Sequence, residues 1–326
     1  MHRITLAVLL TVWGAALAGC GSSDTSSSSS ASGGGGSASG GTANCPSDAS
    51  AAKDGGGAAV KIGSKNFAEE QILAEIAKQS LAKNNYKVDY STQEADPQIG
   101  TDLSGGKIDA YWQYTGTELQ KYLNVDKPPT DLDAAFAMAQ QQDDANKLCW
   151  IGKAPMDDTN GLAIRSADVS KFGSTLSAFT SYLQAHSDVK VCIMAEFKSR
   201  ADGVPGLATT YGSVWGGYNF TTVDKTAEKN IAAKDCDAGE VFTTDSGIAA
   251  NSLTVLKDDK QLFPPDNVGL IVRSDLLKAH PGIAAIINPI AAKITTDEIT
   301  KLNKQVEIDS MKPADVAAAW LSANGF

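Results

Sequence analysis

Chemistry in this 326-residue chain would have to come from five cysteines, three histidines and carboxylates that often stand as doublets. The familiar catalytic spacings are missing. There is no G-x-S-x-G nucleophile elbow, no G-x-x-x-x-G-K-[ST] phosphate loop and no H-E-x-x-H zinc helix. Asp143-Asp144, Asp157-Asp158 and Asp258-Asp259 are adjacent in sequence, so their side chains diverge. Solvated faces account for them better than an acid–base pair does. His186 and His280 stand in polar helix-end contexts and are expected at the surface. So few histidines and cysteines leave little material for a metal, and no cofactor motif is present. The chain therefore points to binding rather than catalysis, with any ATP-driven step supplied by a separate chain.

Composition narrows the classes further. With 42% hydrophobic residues the chain can build cores, which excludes wholesale disorder. A net charge of −10, from 28 basic and 38 acidic residues, argues against nucleic acid, whose phosphates demand surplus Lys and Arg.

The cysteines divide by position. Residues 1–19 carry Arg3, an apolar run from Ile4 to Ala18, and then Gly19 before Cys20. That is the pattern of a secretory signal, and the run is short of the ~20 apolar residues a spanning helix needs. Leu17-Ala18-Gly19-Cys20 resembles the bacterial lipobox, in which the cysteine is lipidated and becomes the new N-terminus. Residues 20–57 would then be the lipid anchor and a Ser/Gly/Ala tether, with the folded body starting near Ala58. Such a coil spans on the order of 30–35 Å. Cys45, Cys149, Cys192 and Cys236 remain, an even number that suggests two disulfides with three possible pairings. Cys192 with Cys236 is favoured, since both lie at candidate strands, which leaves Cys45 for Cys149.

Strands alternating with helices must position whatever site exists. Ala59–Ile62, Val88–Ser91 and Ile108–Trp112 read as strands, with helices from the residues after Asn66 through Leu81 and over Ile99–Leu103. Asn66 and Glu69 have capping-box spacing. Past Met156 the pattern restarts, with Gly161–Arg165, a helix over Ser174–Ala185, a strand at Lys190–Met194, a helix at Gly206–Tyr211 and a strand around Glu240–Thr243. Four helical segments close the chain, with Pro281 and Pro313 as boundary signals. The fold class this predicts is α/β, with mainly parallel sheets in two lobes of similar size and a ligand cleft between them.

Several strings are more specific than composition. They are Ile62-Gly63-Ser64-Lys65-Asn66-Phe67; Gly106 to Tyr111 running into Tyr114-Thr115-Gly116-Thr117; Glu196-Phe197 with Arg200-Ala201-Asp202-Gly203; Thr244-Asp245; and Leu262-Phe263-Pro264-Pro265. In this order, from about Val60 to Phe326, the chain resembles the substrate-binding proteins of osmoprotectant (glycine betaine, choline, carnitine) ABC transporters. The resemblance implies a periplasmic-binding-protein-like fold with two crossovers and no catalytic residues. One lobe would comprise 58–158 plus 259–326 and the other 159–258, with hinges near Asp157–Gly161 and Leu256–Val268. It also implies an exported, lipid-anchored monomer on the outer face of the bacterial cytoplasmic membrane. Its partners would be a small solute and an ABC permease with a separate ATPase subunit.

A betaine-like solute needs aromatic faces for its quaternary ammonium and donors for its carboxylate. By match, Tyr114 contributes to the aromatic cage, with Thr115 beside it, and Thr117 donates to the carboxylate. Lys65, with Ser64 beside it, faces the anion, and Arg200 closes on it from the second lobe. Two cage tyrosines are replaced: Asn160 stands in Thr159-Asn160-Gly161, and Asp266 follows Phe263-Pro264-Pro265. Phe242 is the aromatic available before Thr244-Asp245. Asp266 could attract a cation by charge, so the solute expected is a betaine-like amine or, as the alternative, a more polar or different small molecule. A surface sensor without a transporter uses the same fold.

Overall fold

The computed structural model describes residues 44–46 and 50–326. The signal segment, Cys20 and the tether as far as residue 43 lie outside the described residues. Short runs of β-branched and aromatic residues build two five-stranded sheets. Strands β1 (Ala59–Lys65), β2 (Lys87–Glu94), β3 (Ala110–Tyr114), β4 (Leu148–Ile151) and β10 (Val268–Arg273) form the first, in the order β2-β1-β3-β10-β4. Strands β5 (Asn160–Arg165), β6 (Val191–Met194), β7 (Thr221–Val223), β8 (Ala238–Phe242) and β9 (Leu253–Val255) form the second, in the order β7-β6-β8-β5-β9.

Mainly parallel sheets do not result. Both sheets are mixed, because the strand that follows each crossing between them enters antiparallel. β5 runs antiparallel to β8 and β9, and β10 runs antiparallel to β3 and β4. The crossing segments lie side by side, with Asp157 bridged to Asn267. The Asn267 side-chain amide donates to the Ala154 and Met156 carbonyls, which ties the second crossing to the first.

Helices bury the sheets' apolar faces. Ala68–Lys83, Gly282–Ala291, Thr296–Glu307 and Pro313–Ala323 pack on one face of the first sheet, where Trp112 is fully buried and its indole N–H donates to the Leu73 carbonyl at 2.8 Å. Gln98–Ser104 and Leu132–Ala145 cover the other face with Ile99, Leu103, Ala135 and Phe136. In the second sheet Phe172, Phe179 and Trp215 build the core under the Leu176–Ala185 helix.

Three local expectations are corrected. The first helix is capped by Phe67 without a side-chain bond, so Asn66 and Glu69 form no capping box. Burial takes Glu69 elsewhere, as described below. The acid doublets are not solvated faces throughout. Asp143 is fully buried and accepts the Trp150 indole N–H at 2.7 Å, Asp158 accepts the Thr244 hydroxyl at 2.6 Å, and Asp258 holds the Tyr211 hydroxyl and the Phe263 amide. Chain assigned by composition to the tether also packs on the body: Gly55 and Gly57 donate to the Asn84 and Asn85 carbonyls, and Cys45 is buried.

Both favoured disulfides are present, Cys45–Cys149 with Cα atoms 5.3 Å apart and Cys192–Cys236 at 6.0 Å. No helix among the described residues is long and apolar enough to cross a membrane.

Candidate functional site

A cavity of about 460 Å³ lies where the strand ends of the two sheets converge. Of the residues singled out from sequence, Lys65, Tyr114, Thr117, Asn160, Arg200, Phe242 and Asp266 line it. Ser64 and Thr115 do not. Both are fully buried behind the wall, Ser64 bonded to the Tyr90 hydroxyl at 2.8 Å and Thr115 donating its amide to the Asn267 carbonyl at 2.9 Å. Alternation explains Ser64, since successive side chains of strand β1 point to opposite sides, whereas Thr115 opens the helical turn Thr115–Thr117 that follows β3.

Tyr114 ends β3 with its ring at the wall and its hydroxyl spent, donating to Glu69 Oε1 at 2.6 Å. Glu69 Oε2 accepts the Asn303 amide at 2.7 Å, and the same amide reaches the Thr244 carbonyl at 3.2 Å. A second contact joins the same elements: the Ser246 hydroxyl donates to Glu307 at 2.6 Å. The Thr296–Glu307 helix thus touches both sides of the cavity. Burial pushes the Glu69 carboxyl up, against the hydrogen bonds from Tyr114, Asn303 and Thr244 that hold it down. Asp158 is pushed well up by burial and then by the Glu69 charge, and Asp245 is pushed up to about 8 by burial and Glu228.

Two cationic side chains of the wall, Lys65 and Arg200, are already engaged. Lys65 Nζ donates to Gln113 Oε1 at 2.8 Å, pairs with Asp96 at 3.2 Å and lies 4.6 Å from the Tyr114 ring centre. The resemblance implied an anion-facing lysine; its ammonium is held instead against the Tyr114 ring. Arg200 forks onto Asp202, with both N···O distances 2.9 Å, and Glu196 lies at 3.9 Å. Asp266 behaves differently from the cation attractor expected. Its Oδ1 accepts the Gly116 and Thr117 amides at 2.5 and 3.2 Å, and its Oδ2 accepts the Thr117 hydroxyl at 3.3 Å. Asn160, at the start of β5, is buried and its Oδ1 has no hydrogen-bond partner.

Sequence reasoning missed Phe67, which is 41% exposed at the wall with its ring centre 6.3 Å from that of Tyr114. The signal was its place at the strand-to-helix turn beside Lys65. Glu69, Asp158 and Asn303 were missed too, because their partners are distant in sequence. Aromatic faces from Phe67, Tyr114 and Phe242, amid a surplus of carboxylates, can hold a small organic cation. Among the described residues no group of three or more His, Cys, Asp or Glu is arranged to hold a metal ion.

Residues 58–323 match the model of a protein family described as the substrate binding domain of ABC-type glycine betaine transport systems. The chain belongs to this family. It is 30% identical to a glycine-betaine-binding protein of Pseudomonas aeruginosa over 273 residues, covering 80% of this chain and 86% of that one. It is 27% identical to the Escherichia coli glycine betaine-binding protein YehZ, covering 82% and 91% of the two chains. Its structure is similar to that of a glycine betaine/carnitine/choline ABC transporter protein, with a TM-score of 0.73 at 25% identity over 81% of this chain and 98% of that one. The two-lobed periplasmic-binding-protein-like fold is thereby established, and the family is one of transport substrate-binding proteins rather than of enzymes. As a family member the chain is an extracytoplasmic binding component of an ABC importer, which takes a small solute and works with a permease.

Proposed function

We propose that this member of the family captures a quaternary-amine osmoprotectant in the cavity between its lobes and hands it to the permease. One observation carries the proposal: aromatic side chains from both sides of the cleft, Phe67 and Tyr114 against Phe242, stand among buried carboxylates. A trimethylammonium group cannot donate hydrogen bonds, so it loses little on leaving water for such a wall. Each ring it meets contributes about 0.5–2 kcal/mol. Lobe I comprises 58–158 and 259–326 and lobe II 159–258, with the crossing segments as the hinge. Closure is supported by the paired contacts of Asn303 and Glu307 with Thr244 and Ser246. Lys65, Tyr114, Thr117, Asn160, Arg200, Phe242 and Asp266 form the binding wall. The protein is a monomer tethered through lipidated Cys20, and a separate ATPase powers its permease.

Calorimetric titration of the purified protein with choline, carnitine and glycine betaine tests this directly. Micromolar binding of at least one, weakened about two- to thirtyfold by Phe67→Ala, is expected. Binding of none of them removes the proposal.

A further inference from the structure

Resting on the quaternary-amine reading above, we infer that Asp266 is a specificity-determining residue: it fills the anion subsite with the protein's own carboxylate and restricts the cavity to ammonium solutes that carry no carboxylate. A betaine must place its carboxylate on donors, and the donors that the resemblance assigns to a carboxylate are already drawn to the protein's own acids. The Gly116 and Thr117 amides and the Thr117 hydroxyl converge on Asp266 at 2.5, 3.2 and 3.3 Å. Gly116 is what permits that approach, since a Cβ there would lie 2.9 Å from Asp266 Oδ1. Lys65 is shared between Gln113 and Asp96, and Arg200 spends Nε and Nη2 on Asp202 while its Nη1 lies 3.9 Å from Glu196. Lys121 and Lys225 also line the cavity, but both are solvent-exposed, where water screens them.

Asp266 is also held in place from behind. Its amide donates to Asp157 Oδ1 at 2.8 Å and its carbonyl accepts the Asp158 amide at 3.2 Å, so its backbone, on the second crossing segment, is fixed to the first. A solute carboxylate seeking the same amides would have to expel this one and then remain beside it. Burial already pushes the Asp266 carboxyl up to about 7, so a second carboxylate beside it forces one of the pair to take up a proton, which opposes binding. A solute bearing only a positive charge meets instead a wall rich in carboxylates. An ammonium alcohol of the choline class fits both conditions. Its hydroxyl can donate to a buried acceptor such as the unpartnered Asn160 Oδ1.

The test titrates the purified protein, as wild type and as Asp266→Ala and Asp266→Asn, with choline and with glycine betaine. Wild type is expected to bind choline at least tenfold more tightly than glycine betaine. Asp266→Ala, by freeing three donors and removing a charge, should shrink that ratio at least tenfold, chiefly by strengthening glycine betaine. Asp266→Asn keeps the volume and one acceptor oxygen and should fall between. Wild type binding glycine betaine as tightly as choline overturns the inference, with or without folded variants, and leaves the quaternary-amine reading standing. An unchanged ratio in a folded Asp266→Ala protein overturns it equally. Binding of neither solute overturns the inference, and the quaternary-amine reading falls with it when carnitine fails to bind as well.

Discussion

Glu70 offers a way to measure what burying a carboxylate beside this cavity costs. It is fully buried on the Ala68–Lys83 helix, with Oε2 on the Lys65 amide at 3.3 Å and Oε1 without a partner. Burial pushes its carboxyl up to about 8 from 4.5, against the Lys65 charge and amide, which hold it down. The folded chain therefore keeps a proton that the unfolded chain has lost throughout the interval between those two values. Stability must fall as pH rises through that interval and level off above it, by about 1.4 kcal/mol per pH unit. From pH 5 to pH 8 the loss from this one group comes to roughly 3–4 kcal/mol.

Glu70→Gln has the shape of the protonated acid and cannot ionise. It should match wild type within about 1 kcal/mol at pH 5 and exceed it by roughly 3–4 kcal/mol at pH 8. Urea unfolding of solute-free protein at pH 5, 6, 7 and 8 reads this through the buried Trp112, Trp150 and Trp215. Other raised carboxyls, such as Asp245, give the same slope in both proteins and drop out of the difference. Two parallel stability curves across that range would refute the assignment of a raised carboxyl to Glu70.

Further outcomes follow from other contacts. Tyr114→Phe loses the bond to Glu69 and should destabilise the protein by about 1–3 kcal/mol while retaining solute affinity, whereas Tyr114→Ala should also weaken choline by a further 0.5–2 kcal/mol or so in calorimetry. Replacing Cys45 and Cys149 together by Ser opens a loop of 104-residue separation and should cost about 4.7 kcal/mol in urea unfolding, against about 4 kcal/mol for the 44-residue separation of Cys192 and Cys236. Gly203→Ala would place a Cβ 1.9 Å from the Phe197 carbonyl oxygen and should lower the melting temperature by several degrees in a thermal scan, since that backbone cannot retreat cheaply.

Which features could be read from sequence depended on how local their causes are. Helix boundaries set by Pro281 and Pro313 were legible, because proline acts on its own turn. β10 was not legible as a strand. Val268–Arg273 is buried on both faces and so lacks alternation, and Gly269 interrupts it to make room for the Phe136 and Trp150 rings. Strand direction is not written locally either, which is why parallel sheets were expected where mixed ones formed. In the site, Tyr114 and Thr117 were found through the strings that contain them. The state of Asp266 depends on Gly116 and Thr117, about 150 positions away, and that of Glu69 on Asn303, 234 positions away. A carboxylate's charge is visible in a sequence; whether it is solvated, paired or protonated is decided by neighbours that only the fold supplies.

The place of β10, between β3 and β4, has a consequence for how the molecule is made. The first sheet is assembled around a strand that the ribosome delivers only after every strand of the second sheet. Until residues 268–273 emerge, β3 and β4 have no partner to join them, and Trp112 and Trp150 lack the strand that completes their layer. The second sheet, continuous from 160 to 255, has no such delay. Synthesis order and closing order are therefore opposed: the half begun first is finished last, and a stop codon between β9 and β10 leaves every strand of the second sheet present and the first sheet open.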